Sequence, residues 1–96
     1  MKREEILEKL KILKPILRDK YGIEEFAIFG SIARGENTEN SDLDIIILKS
    51  KKKDYFLRLE AKKFLEKQLN IKVDIGYYES IRPVIKKFID KDIVNV

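Results

Sequence analysis

The sequence predicts an α/β (α+β) domain, a small sheet flanked by helices, and three observations carry that expectation. Stretches with apolar residues every three to four positions occur near the start, in the middle and at the end of the chain. Short runs rich in β-branched and aromatic residues lie between them. The two kinds alternate as helix, strand, turn, strand, helix, strand, helix, which builds one sheet with helices over it. With 96 residues and 44% hydrophobic content, residues 1–96 are expected to form one domain around one core.

The elements follow in order. Ile6, Leu10, Leu13 and Leu17 step by four, three and four, so a helix is expected over 3–21, with a kink or break near Lys14 because Pro15 follows. Gly22 after Tyr21 is a left-handed stop. Glu25 to Phe29 reads as a strand, and Gly30 ends it. Ser31 to Gly35 suits a single helical turn, and Glu36 to Asn40 a polar loop. Leu43 to Leu48 is the second strand and Ser50 to Asp54 a charged turn. Tyr55 to Leu69 is an amphipathic helix with Leu57, Ala61, Phe64 and Leu65 on one face, closed by Asn70. Ile71 to Tyr77 is the third strand. Ser80 opens a last helix, with Pro83 in its first turn and Ile81, Ile85, Phe88 and Ile89 facing the core.

Composition removes several chemistries. Histidine and cysteine are both absent, which excludes disulfides, thiolate nucleophiles, Cys/His zinc sites and histidine bases. Oxygen ligands remain, and these favour hard ions such as Mg²⁺. No stretch has membrane-spanning length and the N-terminus is charged, so a cytoplasmic location without membrane contact is expected. The net charge of +4 is a modest excess within 40% charged residues. A solvated lysine surface explains it, Lys51 to Lys53 included, and direct nucleic-acid binding is not expected.

The candidate site lies between Gly30 and Asp44, G-S-I-A-R-G-E-N-T-E-N-S-D-L-D. Asp42 and Asp44 lead into Ile45-Ile46-Ile47, and strand alternation points both to one face. Carboxylates so placed repel each other and resist burial unless a cation sits between them. Asp74 stands in the same situation between Val73 and Ile75; if the two strands are neighbours, three carboxylates converge. Gly30 and Ser31, where a strand turns into a helical turn, can close backbone N–H groups on a phosphate. Gly30 and Gly35 have P-loop spacing, but Glu36 follows where Lys is needed, which excludes that motif. Arg34 reaches either a phosphate or a surface partner, and its own sequence leaves both open. Tyr77 and Tyr78 receive no role.

Together, G-S-I-A-R-G-E at 30–36 and S-D-L-D at 41–44 resemble the nucleotidyltransferase superfamily of DNA polymerase β type. Within it they resemble the minimal nucleotidyltransferase (MNT) antitoxins that accompany HEPN-type RNase toxins. The resemblance spans essentially the whole chain and implies the nucleotidyltransferase fold with a small mixed sheet. It implies that Gly30 and Ser31 hold the triphosphate of ATP; Arg34 is carried as a further candidate for that binding from its own position in the motif. Asp42, Asp44 and Asp74 would then be both catalytic and metal-binding, for two Mg²⁺ ions. It further implies transfer of AMP to a hydroxyl, a tyrosine, of the toxin, which silences the toxin, with the two proteins forming a hetero-oligomer. Two other readings are carried: an antitoxin that acts by contact alone, and a nucleotidyltransferase for RNA or a small molecule.

Overall fold

The computed structural model describes residues 2–96. Helix α1 spans Arg3–Tyr21 and strand β1 Ile23–Phe29; the one-turn helix α2 spans Gly30–Ala33. Strand β2 (Leu43–Ser50), helix α3 (Tyr55–Leu69), strand β3 (Val73–Tyr77), helix α4 (Pro83–Asp92) and the short strand β4 (Val94–Asn95) complete the chain. The sheet order is β3-β2-β1-β4. β2 runs antiparallel to β1 and parallel to β3, while β4 runs antiparallel to β1, so the sheet is mixed. The parallel pair needs a long crossover, and α3 supplies it.

β1 and β2 are central, and their near-continuous apolar runs follow from burial on both faces. Ile28 pairs with Ile45 and Phe26 with Ile47, and these face the main core with Ile6, Leu10 and Leu17 of α1 and Ala61 and Leu65 of α3. Ala27 and Ile46 pair on the opposite face and are also buried. β3 lies at the sheet's edge, where open backbone groups need partners. Arg58 of α3 donates to the Ile75 carbonyl at 3.0 Å, and the Glu66 carboxylate accepts from the Val73 N–H at 3.0 Å.

Gly22 (φ +71°) and Asn70 (φ +55°) close α1 and α3 in the left-handed region, as their positions predict. Asp54 caps α3, its carboxylate accepting from Phe56 N at 2.9 Å and Leu57 N at 3.1 Å.

Two expectations are corrected. α1 runs through Pro15 without the expected break, because Pro15 lies on the exposed side, where the carbonyl that proline leaves without a donor is open to solvent. The last helix begins at Pro83, not Ser80, because the residue before a proline avoids helical angles, and Arg82 is extended (ψ 142°). Of the four residues expected inside, Ile89 is 7% exposed, while Ile85 and Phe88 are 46% and 64% exposed. Ile81 precedes the helix and is half-buried. Smaller differences occur at the strand ends: β1 starts at Ile23, β2 extends to Ser50 and β3 starts at Val73. Among the described residues no helix is long and apolar enough to cross a membrane.

Candidate nucleotide site

The site forms on the sheet face opposite the main core. Leu43 and Ile45 turn inward and are buried, which by alternation turns Asp44 to the other side. In the register of the sheet Asp44 lies opposite Phe29 of β1 and Asp74 of β3. Register partners project to the same side, so the two carboxylates stand side by side on neighbouring strands. Asp42 precedes β2 and is exposed, as is Asp74; Asp44 is half-buried.

The electrostatics report the crowding. Burial, then the charges of Asp74 and Asp42, push the Asp44 carboxyl above its ordinary value, and the Arg34 guanidinium partly offsets them. Three charged side chains thus act on Asp44 from nearby. Among the described residues no three acidic side chains enclose an ion as they stand. Two oxygen donors are nonetheless the usual protein contribution to a Mg²⁺ site that completes its shell with water and phosphate. The donor set therefore fits such an ion.

The glycine bend lies against one of these acids, Asp44. Gly30 is left-handed (φ +80°), and a β-carbon there would run into the Asp44 carboxylate, with Asp44 Cγ only 3.3 Å away. The missing side chain is what lets the backbone close on the acid. The first N–H groups of α2 have no intrahelical acceptor, and Phe29 supplies no side-chain cap. Ser31 is half-buried, and its hydroxyl has no partner among the described residues. These donors stand beside the carboxylates, where a phosphate chain bridged to a cation would lie.

Arg34 is engaged elsewhere. Its Nη1 donates to Asp92 Oδ2 of α4 at 2.8 Å, and its Nε lies 3.4 Å from Glu36. Of the two partners the sequence left open, the structure shows the protein one. Sequence reasoning missed Asp92, which nothing local marks, and Arg3, whose Nη1 donates to the Ala33 carbonyl at 3.0 Å and so ties α1 to the bend. It also left Tyr78 without a role; its hydroxyl donates to Asp90 Oδ1 at 2.7 Å.

Residues 10–95 match the profile of the nucleotidyltransferase domain. The chain belongs to that family. Its relatives include a provisionally named protein adenylyltransferase of Methanocaldococcus jannaschii, 43% identical over 95 residues, covering 96% of this chain and 95% of the relative. Another is the protein adenylyltransferase MntA of Thermococcus cleftensis, 33% identical, covering 97% of this chain and 94% of the relative. Among solved structures, a provisionally named minimal nucleotidyltransferase superposes with a TM-score of 0.80 at 26% identity over 100% of this chain and 97% of its own. A chain of the toxin–antitoxin structure MntA–HpeT superposes with a TM-score of 0.70 at 25% identity, covering 92% of this chain and 70% of that one. The nucleotidyltransferase fold expected from the motif is thus the fold observed.

Proposed function

We propose that this nucleotidyltransferase is an antitoxin that transfers AMP from ATP to a hydroxyl, a tyrosine, of a HEPN-type RNase toxin and thereby silences it. The observation that carries this reading is the pairing of Asp44 with Asp74 against the Gly30 bend. The names of the relatives support the activity, and the toxin–antitoxin structure supports the kind of partner.

Asp42, Asp44 and Asp74 are the residues that would hold Mg²⁺, two ions on the resemblance. When bound, such ions lower the pKa of the acceptor hydroxyl and screen the phosphate charge. Gly30 and the Ser31 hydroxyl hold and orient the triphosphate, which leaves the α-phosphate facing the acids. The acceptor oxygen attacks the α-phosphorus, the bond to the β-phosphate oxygen breaks, and pyrophosphate leaves. Asp74, the exposed member of the pair, takes the proton from the hydroxyl.

The test is incubation with ATP, Mg²⁺ and a HEPN-type toxin from the same organism, followed by mass spectrometry of that protein. One adenylyl increment per modified residue is expected. No increment, or one that persists in Asp44→Asn, overturns the reading. A second reading is neutralisation by contact alone, which the toxin–antitoxin structure supports as a kind of partnership. It requires Asp42→Asn and Asp44→Asn to protect cells as well as the wild type, whereas the transfer reading requires protection to be lost.

A further inference from the structure

We propose that the outer face of α4 is the docking surface for the acceptor protein, which meets it with an apolar patch edged by carboxylates. This rests on the transfer reading above and adds where the acceptor sits. Val84, Ile85 and Phe88 are 60%, 46% and 64% exposed. Their spacing of three and four residues along a helix makes them neighbours, so they form one continuous patch. Such a patch, with a polar edge, marks an interaction surface.

Two observations join the patch to the site. The Asp92–Arg34 ion pair at 2.8 Å and the Tyr78–Asp90 hydrogen bond at 2.7 Å tie α4 to the end of α2 and to the residue after β3. The charge of Arg34 in turn reaches Asp44. A protein seated on α4 therefore lies beside the carboxylates that must receive its hydroxyl. The helix is also held in place before docking, which reduces the ordering cost of binding.

The charges on α4 say what the occupant carries. Of its two acids, Asp92 is paired with Arg34 and Asp90 accepts from the Tyr78 hydroxyl, so the charges left without a partner along the helix are cations. Arg82 and Lys87 have no ion-pair partner among the described residues, and Lys91 Nζ lies 5.9 Å from the Phe88 ring centroid. A cationic edge selects a partner with carboxylates around its apolar centre. It also disfavours a second copy of this chain, because a two-fold contact would set the same positive edge against itself.

The experiment uses the whole chain, the acceptor protein and two variants, Phe88→Asp and the double charge reversal Lys87→Glu/Lys91→Glu. Phe88 is mostly exposed, so the fold is kept, which thermal unfolding checks. Mg²⁺–ATP affinity by calorimetry and the KM for ATP are expected to stay at wild-type values. Acceptor affinity is expected to fall about tenfold or more in Phe88→Asp, with a matching rise in the KM for acceptor. In the charge reversal, association slows and loses its salt dependence. If wild type transfers AMP and both variants bind acceptor within about twofold of it, the docking surface is elsewhere and the transfer reading stands. If wild type neither binds nor modifies the acceptor, both fall together. If Phe88→Asp only turns a dimer into a monomer and acceptor binding persists, the face serves self-association and the proposal is overturned.

Discussion

Replacing Gly30 by alanine separates what the bend does for the fold from what it does for the site. At φ +80° an alanine costs about 1–2 kcal/mol in backbone strain. For a domain of this size that lowers Tm by roughly 5–15 °C. The added β-carbon also collides with Asp44 Oδ2, with Cγ 3.3 Å away. Oδ2 is the free end of a short side chain, so the collision is relieved by turning the carboxylate aside, at little further cost in stability. The damage is then to position: a displacement of about 1 Å in a reacting group costs on the order of 10²-fold in rate. Gly35 provides the control, being left-handed to a similar degree (φ +73°) with nothing within 4 Å of the place a β-carbon would take. Gly35→Ala should therefore melt about as early as Gly30→Ala and keep most of its activity. The assay pairs thermal unfolding by circular dichroism with the initial rate of AMP transfer, at a temperature where both variants are folded. Equal rates in the two variants would refute the reasoning, because strain alone would then account for everything.

Two further outcomes are expected. The Asp44 carboxyl, raised by burial, Asp74 and Asp42, binds its proton more tightly folded than unfolded. That contribution is complete below about pH 3.9 and is lost as pH rises through the folded value. Without divalent ions, Asp44→Asn should therefore melt above wild type at neutral pH, with the difference vanishing near pH 4. Added Mg²⁺ should raise the melting temperature of wild type and not of the variant; a variant less stable than wild type at neutral pH would contradict this. In the core, Leu65 is fully buried between α3 and the sheet, so Leu65→Ala should lose about 2–5 kcal/mol in urea unfolding, a large share of the total for such a domain.

Much of the architecture was legible because it is written in short-range pattern. The steps from Ile6 to Leu17, the run Ile45-Ile46-Ile47 and the stops at Gly22 and Asn70 each depend on a few adjacent residues, and the observed helices and strands follow them. The bend at Gly30 and the turning of Asp44 away from the core are legible for the same reason. Pro15 and the last helix were misread where local pattern stops short. A proline's effect depends on which side of the helix meets water, and an apolar stripe such as Val84, Ile85 and Phe88 does not say what covers it.

By itself, the order of residues determined the first three helices, the first three strands, the absence of histidine and cysteine ligands and the glycine-serine bend before two acids, since all of these need only neighbours along the chain. Tertiary structure alone decided that β3 lies parallel to β2 with Asp74 opposite Asp44, that Gly30 touches that carboxylate, and that Asp92 takes Arg34. Those contacts join residues 14 to 58 positions apart in sequence. They exist only because α3 carries the chain back across the sheet and the buried face of each strand fixes its register.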